Sequence, residues 1–176
     1  GVILRPKGEE CARALGESLV VRNAIGVSAR TDALLAILMT LGIGPWDAVV
    51  TTAYTFFSTG GGIARVGATP VFVDIDPVTF NISPTALANF LADRCQRNAQ
   101  GQLVYAGGRI VRAIVPVHLF GLCCELYSIT PLAQPVLRAA IVAASPATGH
   151  AYQAHARPRQ PGPTRPSHPS PLFPSV

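Results

Sequence analysis

Asp47-Ala48-Val49-Val50-Thr51-Thr52-Ala53-Tyr54-Thr55-Phe56-Phe57-Ser58-Thr59 is the stretch on which the fold turns. Asp47 to Thr51 is a short apolar and β-branched run of strand length, and from about Phe56 to Val66 the pattern becomes helical. A strand end that feeds a helix start is half of a βαβ unit. Upstream, Thr31 to Leu41 reads as a helix closed by Gly42, Ala24 to Val27 as a short apolar strand, and Pro6 to Leu15 as a helix stopped at Gly16. Downstream, Val71 to Val73 is a strand, and Ser83 followed by Pro84 caps a helix to about Arg94. Gln100 to Gly108 is polar and glycine-bearing, as in a hairpin. Ile110 to Val117 is a buried strand, since five of its eight residues are Ile or Val. Glu125 to Gln134 is a last helix, disturbed by Pro131. Strands alternating with helices predict an α/β fold, a mainly parallel sheet flanked by helices.

The two ends of the 176 residues differ in kind. Through Gln134 there are ten Lys or Arg against nine Asp or Glu; from Pro135 onward there are four Arg and no acid. That second part also holds nine of the sixteen prolines. Proline at this density sustains neither helix nor central strand, so 135–176 is expected to be a largely disordered tail, with no composition from which to build further strands. Four of the five units of the net charge of +5 come from this tail. Its arginines are dispersed, without the clustering and interleaved aromatics of a nucleic-acid footprint, so no nucleic-acid partner is expected. No apolar run reaches the roughly 20 residues of a membrane span, and the first residues lack a basic-then-apolar signal pattern. A cytoplasmic protein without a membrane partner follows by default. Cys11, Cys95, Cys123 and Cys124 form no CxxC pair and have no His at zinc-ligand spacing, so reduced, structural thiols are expected.

Ligands in such sheets sit at the carboxyl ends of the strands, where loops meet helix starts. Two junctions of that kind stand out. In Gly26-Val27-Ser28-Ala29-Arg30-Thr31-Asp32 the free N–H groups of a helix start and the hydroxyls of Ser28 and Thr31 make either a phosphate seat or ordinary caps. In Thr51 to Thr59 the aromatics either stack on a flat heterocycle or fill the core.

Taken together, five blocks in this order resemble the DegT/DnrJ/StrS family of pyridoxal-phosphate-dependent sugar aminotransferases of fold type I. They are Ala24-Ile25-Gly26-Val27-Ser28-Ala29-Arg30-Thr31-Asp32-Ala33-Leu34, Leu41-Gly42-Ile43-Gly44-Pro45, Thr55-Phe56-Phe57-Ser58-Thr59, Gly67-Ala68-Thr69-Pro70-Val71-Phe72-Val73-Asp74-Ile75-Asp76 and Pro116-Val117-His118-Leu119-Phe120-Gly121. The resemblance runs to about Gln134, and implies that 1–134 is part of a large domain of that type and that 135–176 is unrelated to it. It implies pyridoxal phosphate as cofactor, a nucleotide-linked keto sugar and an amino donor as substrates, and a homodimer whose sites draw on both subunits. Carried over by position, Arg30 and Thr31 fall where the family's Gly-Thr pair binds the cofactor phosphate, and Phe56 where an aromatic stacks on the pyridine ring.

Three departures qualify the carry-over. The family has glycine where Arg30 stands; Arg30 either offers its guanidinium to the phosphate or fills the site. Gly60, Gly61 and Gly62 fall inside a helix, each at a cost of about 1 kcal/mol against Ala, which weakens the element that holds Phe56. The family also continues with an aspartate that pairs with the pyridine nitrogen and then the lysine that carries the cofactor. No such pattern follows Pro135, and the single lysine is Lys7. His118 is expected to be structural, Asp74 and Asp76 turn or cap residues. The resulting expectation is an incomplete aminotransferase domain, inactive alone, with marginal stability because Ile110 to Val117 lacks its next strand. The alternative is a non-enzymatic cofactor-binding or dimerisation module that partners an intact paralogue.

Overall fold

The computed structural model describes residues 6–18, 25–133, 140–143 and 153–155. The described residues up to Ala29 belong to one compact unit and those from Arg30 to His155 to another. In the first, helix α1 spans Pro6–Ser18, so Gly16 lies within the helix and does not stop it. The expected strand at Ala24 to Val27 is absent over its described part: Ile25 to Val27 are exposed and pair with no strand among the described residues, and an apolar tripeptide without a paired neighbour is no strand.

The second unit holds the sheet. In chain order it runs α2 (Arg30–Thr40), β1 (Asp47–Thr52), α3 (Phe57–Arg65), β2 (Thr69–Val73), α4 (Pro84–Asp93), β3 (Gln96–Arg97), β4 (Leu103–Tyr105), β5 (Arg109–Ile114), α5 (Leu126–Ala133), β6 (Ala140–Ala143) and β7 (Gln153–His155). β1 is central between β2 and β5, parallel to both, and the β3–β4 hairpin adds antiparallel to β5. Alternation across β1 sends Val49 to one face with Leu34, Leu38, Ile63 and Ala113, and Ala48 and Val50 to the other with Val71, Leu87, Ile114 and Ile129. Thus α2 and α3 cover one face and α4 and α5 the other, the arrangement a buried parallel sheet requires. β5 carries one extra residue: Ala48 pairs with Val111 and Val49 with Ala113. Arg112 is that bulge, and its Nε lies 3.8 Å from Asp47 Oδ1.

Helix α4 begins as the sequence predicts, Ser83 Oγ accepting from the Ala86 N–H at 3.2 Å with Pro84 at the first helical position. The ends of the predicted Ile110–Val117 strand shift: residues 115–117 stay buried but leave the ladder after Ile114. The larger correction lies past Gln134. β6 pairs parallel with β5 at Ala113 and Ile114, and β7 pairs antiparallel with β6. A short apolar run, Ala139-Ala140-Ile141-Val142-Ala143, suffices for a strand when a parallel neighbour already offers its edge. The expectation that nothing in 135–176 extends the sheet is therefore wrong for these residues; the rest of the expected disordered tail lies outside the described residues. Among the described residues no helix is long and apolar enough to cross a membrane.

Candidate functional site

Because β1, β2 and β5 are parallel, their carboxyl ends open on one edge of the sheet, where ligands of such folds bind. The loops leaving them carry Tyr54, Phe56, Phe80 and Phe120, with Phe57 opening α3, and all five rings are exposed. Aromatic surface left in water on one edge marks a binding site more often than chance placement.

Threonines fix the geometry of this edge. The Thr51 hydroxyl donates to the Val115 carbonyl at 2.8 Å, while the Val115 N–H donates to the Val50 carbonyl at 2.7 Å, so the segment beyond β5 is tied to β1. The Thr52 hydroxyl donates to the Tyr54 carbonyl at 3.1 Å, and Thr55 and Thr59 share a hydroxyl bond of 3.0 Å across the start of α3. Phe56 is the extended residue before that helix, its carbonyl accepting from Thr59 N–H at 3.0 Å and its ring 60 % exposed.

Arg30 and Thr31 open α2, where helix N–H groups without intrahelical partners and the helix dipole favour an anion. The structure brings α2 to Phe56: the Arg30 guanidinium carbon lies 6.0 Å from the centre of the Phe56 ring, the distance of a cation–π contact. The glycine run explains the approach. A Cβ on Gly62 would meet Leu34 Cδ2 at 3.2 Å, and one on Gly60 would meet the Phe72 ring at 3.3 Å. The glycines thus let α3 pack tightly against α2 and the sheet, so the run that costs helix propensity is what seats the element before which Phe56 stands.

His118 is a buried structural residue. Its Nδ1 accepts from the Cys124 N–H at 3.0 Å, which puts the ring proton on Nε2, and Cys124 Sγ lies 3.0 Å from the same nitrogen. Burial lowers the His118 pKa, so the ring is neutral with its Nδ1 taken up by the Cys124 N–H, and burial pushes the Cys124 thiol up to about 12, so that sulfur is not a thiolate at neutral pH. Asp76 accepts from the N–H groups of Val78 and Thr79 and from the Thr79 hydroxyl, bonds that hold its pKa below the ordinary value.

One residue escaped the sequence reading. Asn81, buried after β2, accepts from the Leu119 N–H and donates to the Leu122 carbonyl, both at 2.9 Å. It locks the loop after β2 to the loop after β5, where Phe120 and Gly121 sit at φ of 53° and 83°. The available signal was an asparagine between Phe80 and Ile82, a polar residue in an apolar setting just past a strand.

A flat, phosphate-bearing group would find two of its three needs met here: an anion-favouring helix start with a guanidinium beside it, and an open aromatic face. The third need, an amine, is not met in this unit, since residues 30–157 contain no lysine.

The sequence profile of the DegT/DnrJ/EryC1/StrS aminotransferase family matches residues 2–158. The chain belongs to that family. Its match continues past Gln134 and takes in β6 and β7. A member from Pseudomonas aeruginosa, UDP-2-acetamido-2-deoxy-3-oxo-D-glucuronate aminotransferase, is 34% identical over 131 residues, 74% of this chain and 32% of its own length. A DegT/DnrJ/EryC1/StrS aminotransferase from Brucella abortus has the same fold, with a TM-score of 0.66 and 37% identity over 80% of this chain and 35% of that one. NtdA from Bacillus subtilis, solved with bound cofactor PMP, gives a TM-score of 0.63 at 28% identity, over 77% of this chain and 28% of its own. The chain thus spans about a third of the length of these DegT/DnrJ/EryC1/StrS relatives, and the family's cofactor is pyridoxal phosphate or its amine form.

Proposed function

We propose that these 176 residues supply the cofactor-cradling part of a pyridoxal-phosphate-dependent aminotransferase that acts on nucleotide-linked keto sugars. The observation that carries the reading is the meeting of Arg30, at the start of α2, with Phe56, at the start of α3, on the carboxyl edge of the sheet. In this role Thr31 and the first N–H groups of α2 hold the phosphate, Arg30 adds positive charge beside it, and Phe56 stacks on the ring. The bonds of Thr52 to the Tyr54 carbonyl and of Thr55 with Thr59 fix the backbone on either side of that aromatic. Bound pyridoxal phosphate supplies the electron sink for amino transfer.

The chain is proposed to be inactive alone, because transamination needs an amine on the protein and its single lysine, Lys7, lies outside every block that resembles the family. Borohydride treatment of the 176-residue chain with pyridoxal phosphate tests this. No lysine labelled at a stoichiometric level, and no amino transfer to a nucleotide-linked keto sugar, is the expected result. Stoichiometric labelling of Lys7 together with turnover would overturn it. The exposed rings of Phe57 and Phe120 favour a second reading, a module that completes its site against a second, intact chain. Recovery of turnover on mixing with such a chain that keeps its lysine but is silenced at its own phosphate seat would favour that module.

A further inference from the structure

We infer that Arg30 stands on Phe56 in place of the cofactor ring and exchanges that contact for the phosphate when a phosphate-bearing pyridine binds. The inference rests on the reading of this edge as the cofactor seat and deepens it, by giving one residue two alternating contacts.

A guanidinium is flat, delocalised and weakly hydrated, so it covers an aromatic face much as a protonated pyridine does. Arg30 lies over the face of Phe56, and both residues are exposed, so the contact is made across an open seat and not inside a packed core. Arg30 is also the first residue of α2, which places its backbone at the anion-favouring end of that helix. The two attractions pull in different directions once a ligand arrives. A pyridine ring needs the aromatic face that the guanidinium occupies, whereas a phosphate offers that guanidinium two charge-assisted hydrogen bonds in its preferred fork geometry. A ligand with both parts removes the side chain from the ring and gives it a better partner. A ligand with only the ring must displace it without compensation. Arg30 would therefore discriminate between phosphorylated and unphosphorylated pyridines in both directions, which glycine at this position would not do.

Pyridoxine 5′-phosphate and pyridoxine are suitable probes, because neither has an aldehyde to react with amines. Their affinities for the 176-residue chain are compared by titration calorimetry with those for Arg30→Ala and Arg30→Lys, thermal unfolding serving to show that each variant is folded. The expected result is a loss of about tenfold or more for pyridoxine 5′-phosphate in Arg30→Ala, the scale of a hydrogen bond to a charged group. Pyridoxine should bind as well or better, and Arg30→Lys should recover part of the phosphate affinity. Equal losses for both probes, or none for the phosphate ester, would overturn the exchange. If the unsubstituted chain binds neither probe, the cofactor seat itself fails, and the exchange with it.

Discussion

A Cβ placed on Gly62 would come within 3.2 Å of Cδ2 of Leu34, a side chain only 1% exposed and held between α2, α3 and the sheet. Leu34 cannot give way freely. Alanine at 62 gains about 1 kcal/mol of helix propensity but meets an overpacking cost of about 1–3 kcal/mol, so Gly62→Ala is predicted to destabilise by up to about 2 kcal/mol. At Gly60 the obstructing atom belongs to Phe72, a half-exposed ring that can swing aside, so Gly60→Ala is predicted to be neutral or stabilising by up to about 1 kcal/mol. Urea denaturation should therefore find Gly62→Ala less stable than Gly60→Ala; equal stabilities or the reverse order would contradict the packing account.

Asn81 joins two loops through bonds to Leu119 and Leu122. Asn81→Ala leaves a buried N–H and a carbonyl without their partner, a loss of about 2–4 kcal/mol from two such groups. The same variant should open the 119–122 loop to proteolysis before global unfolding. Unchanged stability together with an uncut loop would show that Asn81 does not hold the two loops together.

His118 is neutral in the fold, with its pKa lowered by burial and its Nδ1 occupied by the Cys124 N–H. The unfolded chain therefore binds the proton more readily than the folded one. The stability due to the neutral ring is present in full above the ordinary histidine pKa and falls as the pH drops below it toward the lowered folded value. Denaturation midpoints should decline from pH 7.5 to pH 5. That decline should be smaller in His118→Asn, measured relative to its own value at pH 7.5, and an equal decline would remove His118 as its source.

Cys124 and Cys95 are buried with raised pKa values, about 12 for Cys124, whereas Cys123 is exposed. Alkylation depends on access and on the thiolate, so at pH 8 Cys123 should be labelled in the folded chain and Cys95 and Cys124 only after denaturation. Peptide mapping decides it. Early labelling of Cys124 would contradict its place against His118.

The sheet was legible because each of its central strands is a local apolar run at strand length between helical patterns, as in Asp47 to Thr51 and Val71 to Val73. The cap of Ser83 and Pro84 was legible for the same reason: its signal lies within four residues. What escaped depends on partners distant in the chain. Ile25 to Val27 is apolar enough for a strand but pairs with none among the described residues, while Ala140 to Ala143 became one because β5 offers an edge. Averaging composition over a proline-rich stretch hid that short run. Arg30 and Phe56 were chosen separately from the sequence, but that they meet depends on the close packing of α3 against α2, which the glycines permit and no periodicity announces.

The central claim is that the carboxyl edge of this sheet, at Arg30, Thr31 and Phe56, seats a phosphate-bearing pyridine. Amide resonances followed by NMR during titration with pyridoxine 5′-phosphate test it most directly. The largest shifts are predicted for Arg30, Thr31 and Asp32 and for Phe56 and Phe57. A concavity of about 310 Å³ lined by Thr69, Phe72, Phe90, Arg94 and Tyr105 offers the ligand an alternative. Shifts gathered there, with the α2 and α3 starts unmoved, would contradict the account.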